Sequence, residues 1–295
     1  MRAPVVTFVA TLTLLTGCGG NTGSADAAPS ASSRSSNPSG SSPSSSPSGS
    51  SSPDAGASSS SPQRLRVQVR RTLPHDPEAF TQGLEMSGDT LYEGTGLTGR
   101  SSVRAGLPGK RPAARAELPA EVFGEGITLV GRERLWQLTW QDGIAYERDP
   151  KTLRERRQVH YEGEGWGLCH DAGGGRLVMS DGSPTLAFRD PASFRKTGEV
   201  TVRMAGRPVS ELNELECAGP HTVYANVFQT DDIVRIDTRT GEVTGAVDAG
   251  GLLPASERSG AEVLNGIAAI PGTDEFYVTG KNWPKLFRVR FVPTS

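Results

Sequence analysis

Five short runs in this chain of 295 residues open with a side chain able to bind a ligand or move a proton. They are Gln82-Gly83-Leu84, Glu125-Gly126-Ile127, Trp166-Gly167-Leu168, Asn213-Glu214-Leu215 and Asn265-Gly266-Ile267. A carboxylate, three amides and an indole suit recognition of a small polar ligand in a concave site, and the carboxylate adds proton chemistry. For any one of these residues, a structural hydrogen bond closing a tight turn is explanation enough. Five equivalent positions carrying Gln, Glu, Trp, Asn and Asn point instead to a site.

The elements that must position them follow from the spacing. The runs recur at 43, 41, 47 and 52 residues. Each precedes a turn and a β-rich run: Thr90-Leu91-Tyr92, Arg134-Leu135-Trp136, Arg176-Leu177-Val178, Thr222-Val223-Tyr224 and Glu275-Phe276-Tyr277. A third strand follows in each unit, as in Asp232–Ile236 and Lys285–Val289, and a fourth in most, as in Glu242-Val243-Thr244. A period in the forties with four strands per unit and no helical pattern predicts an all-β fold, a five-bladed β-propeller. A two-sheet sandwich does not explain the period. The last unit reaches Ser295 after its third strand, while Leu65–Arg70 alternates strictly between apolar and polar residues. That N-terminal strand is expected to pair into the last blade and close the ring, removing two open sheet edges. Gln82, Glu125, Trp166, Asn213 and Asn265 should then converge on one mouth of the central channel. The glycine after four of them lets the backbones crowd near the axis.

The chain carries 31 Lys+Arg against 33 Asp+Glu, a formal charge of −2, and no basic run, which argues against binding driven by nucleic-acid phosphates. Three cysteines make no disulfide framework and no CxxC zinc pattern. One of them ends an apolar stretch, Ala3–Leu15, in Leu15-Thr16-Gly17-Cys18. This resembles a bacterial lipoprotein signal, with Cys18 as the lipid-modified residue; an ordinary secretory signal is the alternative, and both imply export. Residues 19–63 read as a disordered Ser/Pro/Gly linker, with 20 serines between positions 21 and 62. About 42 flexible residues span roughly 35 Å, a tether holding the domain at 64–295 off the membrane.

Several motifs resemble those of the plant and bacterial glutaminyl-peptide cyclotransferases. They include Phe80–Leu84, Leu91–Gly96, Gly99–Arg104, Phe123–Thr128, Gly165–Leu168, Leu212–Glu216, Ala225–Val227 and Thr279–Lys281 through Trp283–Phe287. The likeness spans about residues 74–290. It implies a five-bladed propeller without cofactor or zinc, and the four histidines, His75, His160, His170 and His221, are too scattered for a zinc triad. The implied reaction closes an N-terminal glutamine of a peptide or protein to pyroglutamate and releases ammonia. Glu125 matches the residue expected to shuttle the proton. Gln82 and Asn213 would bind the carboxamide and α-amine. Phe80, Phe123, Trp140 and Trp166 would form aromatic walls, and Lys281 would polarise the carboxamide oxygen or bind the next peptide carbonyl. Asn265 is expected at the same mouth without an assigned role.

Two positions depart from the family pattern. Phe228 stands where a second tryptophan is expected, which keeps stacking but loses an indole N–H. Cys217 replaces an aromatic and lies in blade four nearly where Cys169 lies in blade three. The pair reads either as a disulfide or as two buried thiols. A monomer is expected, with the membrane reached only through the lipid. Two other readings stay open: a calcium-dependent lactonase-like propeller, whose family has six blades, and a non-catalytic surface propeller that binds peptides or glycans without needing Glu125.

Overall fold

The computed structural model describes residues 61–294. The signal sequence, Cys18 and nearly all of the linker lie outside the described residues. Apart from one 3-10 turn, Ala255–Glu257, every element among the described residues is a strand.

A long first strand, β1 (Gln63–Pro74), precedes three four-stranded antiparallel meanders. The first is β2 (Thr81–Ser87), β3 (Thr90–Thr95), β4 (Ser102–Gly106) and β5 (Ala114–Glu117). The second is β6 (Gly124–Val130), β7 (Arg134–Thr139), β8 (Ile144–Arg148) and β9 (Glu155–His160). The third is β10 (Leu168–Asp171), β11 (Arg176–Met179), β12 (Thr185–Arg189) and β13 (Lys196–Thr201). A small hairpin, β14 (Arg203–Met204) and β15 (Arg207–Pro208), leads to β16 (Leu212–Cys217), β17 (Thr222–Val227), β18 (Asp232–Asp237) and β19 (Val243–Asp248). The chain ends with β20 (Leu264–Ala269), β21 (Phe276–Gly280) and β22 (Lys285–Pro293).

Burial sorts the strands by place. The first strand of each unit is buried almost throughout, as in β2 and β6, while fourth strands such as β9 and β13 are largely exposed. Apolar clusters fill the seams between successive units. Trp136, Leu168, Leu177 and Phe194 join the second unit to the third. Leu84, Leu91, Ala268 and Tyr277 join the first to the last. Tight turns between third and fourth strands repeat one device. The Asp149, Asp190 and Asp237 carboxylates accept backbone N–H groups within their turns, from Thr152 (2.9 Å), Ser193 (2.7 Å) and Arg239 (2.9 Å).

The N-terminal strand pairs with the last unit, as its alternation predicts. It runs antiparallel to β22 from Leu65 opposite Pro293 to Pro74 opposite Lys285, with an irregularity between Val69 and Arg71. It also does something the pattern does not predict. Gln63–Arg66 runs parallel to Gly245–Asp248 of β19, so the fourth and fifth units share one eight-stranded sheet.

Candidate active site

The glycines that follow the leading residues explain how inner strands approach so closely. A Cβ on Gly83 would stand 2.7 Å from the Ile127 nitrogen, one on Gly126 2.6 Å from the Trp166 carbonyl, and one on Gly167 2.1 Å from the Asn213 carbonyl. No side chain fits there. Hydrogen bonds stitch the same seams. Gly126 N donates to Trp166 O (2.8 Å), and Ser180 Oγ accepts from Gly167 N (2.8 Å) while donating to Asn213 O (2.6 Å).

These approaches bring together Phe80, Gln82, Phe123, Glu125, Trp140, Trp166, Asn213, Phe228 and Lys281, which line one pocket of about 250 Å³. All nine are residues the sequence singles out. Gln82, Glu125 and Asn213 come from inner strands β2, β6 and β16. Phe80, Phe123 and Trp166 sit just before inner strands; Trp140, Phe228 and Lys281 sit just after second strands. Left-handed backbone at Gln229 (φ 63°) and Asn282 (φ 59°) turns the chain sharply behind Phe228 and Lys281. The rings meet edge to face: Phe80 with Phe123 at 6.0 Å, Phe123 with Trp140 at 5.6 Å, and Trp166 with Phe228 at 5.6 Å between centroids.

Glu125 is the chemical centre of this cup. It is 5% exposed, and its Oε1 accepts from Gln82 Nε2 at 2.9 Å. Its Oε2 is buried without a partner among the described residues. Burial pushes the carboxyl well above its ordinary range; the Lys281 ammonium opposes this, and Glu164 adds to it. Lys281 is held the other way, its pKa lowered by burial against the attraction of Glu125 and Glu262. Its Nζ lies 4.9 Å from the Phe80 centroid and 5.0 Å from that of Phe228, so aromatic faces hold the cation.

Asn265 differs from expectation. It is fully buried on β20 and does not line the pocket. Its Nδ2 donates to Thr81 O (2.9 Å) and Gln82 Oε1 (3.2 Å), so it orients Gln82 from behind. With one amide oxygen accepting from Asn265, Gln82 turns its NH₂ to Glu125. Cys169 and Cys217 form a disulfide, with Cα atoms 5.4 Å apart, linking β10 to β16.

Sequence reasoning missed three contributors. Glu164 accepts from the indole nitrogens of both Trp140 and Trp166. Gly96 and Gly182 make room for rings: an added Cβ would sit 2.4 Å from Phe123 and 2.7 Å from Trp166. Among the described residues, no group of three His, Cys, Asp or Glu is arranged to hold a metal ion.

Comparison with known proteins matches this framework. A family model described as Glutamine cyclotransferase matches residues 44–291. A glutaminyl-peptide cyclotransferase of Arabidopsis thaliana is 41% identical over 236 residues, covering 78% of this chain and 72% of that protein. The crystal structure of Myxococcus xanthus glutaminyl cyclase is similar with a TM-score of 0.73 and 37% identity, covering 79% of this chain and 100% of that one.

Proposed function

The chain belongs to the glutamine cyclotransferase family, and on that premise we propose that it closes N-terminal glutamine to pyroglutamate, with Glu125 carrying the proton. The substrate's α-amine nitrogen attacks its own side-chain carbonyl carbon, so one C–N bond forms within the molecule. Attack inside one bound residue removes much of the entropic barrier. The amine gives up a proton, the tetrahedral carbon expels the amide nitrogen, and that nitrogen leaves as ammonia after gaining a proton. Glu125 takes the first proton and returns it to the leaving nitrogen.

The observation that carries this reading is the buried, unpartnered Oε2 of Glu125 in an aromatic cup. A raised carboxyl pKa suits a group that must both accept and return a proton near neutrality. Asn213, which lines the cup, would hold the substrate's amide and amine with Gln82. Lys281 would stabilise the negative charge that develops on the carboxamide oxygen. The rings would hold the planar amide and exclude water.

The units of four strands are read as a five-bladed propeller over residues 64–295, its ring closed by β1 on β22. Residues 1–63 are read as an export signal and tether, with lipid on Cys18 and substrates at the cell envelope.

The test is ammonia release from a glutamine-initiated dipeptide, with and without a chelator. Ammonia in both samples, lost in Glu125→Gln, supports a metal-independent cyclotransferase. Release that stops with the chelator would mean a metal-dependent cyclotransferase, whereas no release together with chelator-sensitive hydrolysis of a sugar lactone favours the lactonase-like reading. A folded chain that releases none, yet binds the peptide after Glu125→Gln, is a binding module.

A further inference from the structure

Glu164 has no part in the proton path, yet it hydrogen-bonds two side chains of the pocket wall. It lies two residues before Trp166, in the loop between β9 and β10. Its Oε2 accepts from Trp140 Nε1 at 2.8 Å and from Trp166 Nε1 at 3.0 Å. Its Oε1 accepts from Gln141 Nε2 at 2.9 Å. The two tryptophans come from different units, so one carboxylate straddles the seam between them.

Three consequences follow from elementary chemistry. An indole has a single N–H, and here both are used at the lip. The rings therefore present carbon faces and edges to the pocket, leaving Gln82, Glu125, Asn213 and Lys281 to supply its polar groups. Trp140 is 37% exposed, so burial alone does not fix its ring; a charge-assisted hydrogen bond does. Finally, three donors hold Glu164 ionised, its pKa lowered by Gln141, Trp166 and Trp140 against partial burial. It is a lasting negative charge beside a site whose substrate arrives as an α-ammonium.

Resting on the cyclotransferase reading, we propose that Glu164 is a positioning residue. It locks the Trp140 and Trp166 rings into the wall that holds the substrate's carboxamide against Glu125, and its charge draws the α-ammonium into the cup. Tether and charge are separable. Glu164→Gln removes the charge and one shared acceptor oxygen. Glu164→Asp keeps the charge on a side chain one methylene too short to reach both rings.

The experiment uses the full chain and two readouts. The first is the set of indole N–H signals in a ¹H–¹⁵N spectrum, at most four for four tryptophans. Trp140→Phe and Trp166→Phe identify two of them. In Glu164→Gln those two should move and the others stay. The second is steady-state kinetics on a glutamine-initiated dipeptide across pH. Glu164→Gln should raise KM about fivefold to tenfold, the scale of one hydrogen bond or a little more, with a smaller change in kcat. The limb of the pH profile belonging to Glu125 should move to lower pH, because a neighbouring anion has gone. Glu164→Asp should restore the pH limb and only part of KM, because the charge returns without the tether.

Stationary indole signals, or a variant with wild-type KM and pH profile at an unchanged melting temperature, overturn the proposal while leaving the cyclotransferase reading in place. A wild-type chain that releases no ammonia overturns the cyclotransferase reading itself, and the proposal with it.

Discussion

Glu125 and Glu214 are both buried carboxylates on inner strands, and burial raises both, Glu214 to about 8. Their oxygens tell them apart. Glu214 crosses from β16 to two other strands, where Oε1 accepts from Leu84 N (3.1 Å) and Oε2 from Ile267 N (2.8 Å). Glu125 has one oxygen on Gln82 and one without a partner. Equal burial thus yields a strut in one case and a reagent in the other. A carboxyl whose two oxygens are both held by backbone donors offers none to a substrate; one with a free oxygen does. Register decides which is which. Glu125 leads its three-residue run and faces the mouth. Glu214 is second in its run, where the other four runs have glycine, and the alternation of a strand turns it to the other side.

The sharpest way to break this contrast is Glu125→Gln. Turnover should fall about a thousandfold, the range of general acid–base catalysis. Stability at neutral pH should hold or rise, because a neutral amide replaces a carboxyl whose ionised form is disfavoured by burial. Ammonia release and a denaturant titration on the same preparation check both halves. A variant that keeps its rate removes Glu125 from the chemistry.

The disulfide probes the strand ends away from the mouth. Cys169 and Cys217 lie beyond Trp166 and Asn213 along their strands and close a loop with a sequence separation of 48. Loop-closure entropy puts the loss on replacing both with serine at about 4 kcal/mol. Activity per folded molecule should stay unchanged, measured below the new melting temperature. A loss of kcat at full folding would mean that the strand ends also shape the cup.

The repeat made Gln82, Glu125, Trp166 and Asn213 legible as leaders of equivalent runs, whereas Phe80, Phe123, Trp140, Phe228 and Lys281 came from the resemblance to the cyclotransferase family. Tertiary contacts hid the rest. Asn265 heads a run just as Gln82 does, but run position does not reveal that its amide is committed to Thr81 and Gln82 beneath the pocket. Nothing local marks Glu164 as the acceptor for a tryptophan 24 residues earlier. Glu214 reads as a break in the glycine pattern until its two donors, from β2 and β20, are seen. The parallel pairing of β1 with β19 depends on where two distant strands end, which alternation does not encode.

The strut has its own pH signature. Burial puts Glu214 at about 8 and Glu85 at about 7, both above the ordinary glutamate pKa of 4.5. Between about pH 5 and 8 the folded chain keeps protons that the unfolded chain releases, so their contribution to stability falls as pH rises. Below the unfolded pKa both states are protonated and the dependence flattens. Glu214→Gln should flatten the slope between pH 5 and 8. It should be less stable than wild type at the acid end, by about 1–3 kcal/mol, because its NH₂ faces a backbone N–H that loses its acceptor. The gap should narrow as pH rises. Melting temperatures across pH check this, and parallel curves would assign the slope to other groups.

The smallest expected effect tests whether the mouth is tuned by its rings as well as by its carboxylate. Phe228 packs edge to face on Trp166 and lies under Lys281 at 5.0 Å. Tryptophan has the stronger cation–π face and restores an N–H at the rim. Phe228→Trp should hold Lys281 more firmly where charge develops on the substrate oxygen. A gain of about 0.5–1 kcal/mol corresponds to a twofold to fivefold rise in kcat/KM, carried mainly by kcat because the charge develops only in the transition state. Stability should barely move, since the ring is only half-buried and the inner-strand seams are untouched. An unchanged kcat/KM would mean that the phenyl ring already holds Lys281 as well as an indole can. The reactivity of the mouth would then rest on Glu125 and the donors around it, the same property that separates it from Glu214.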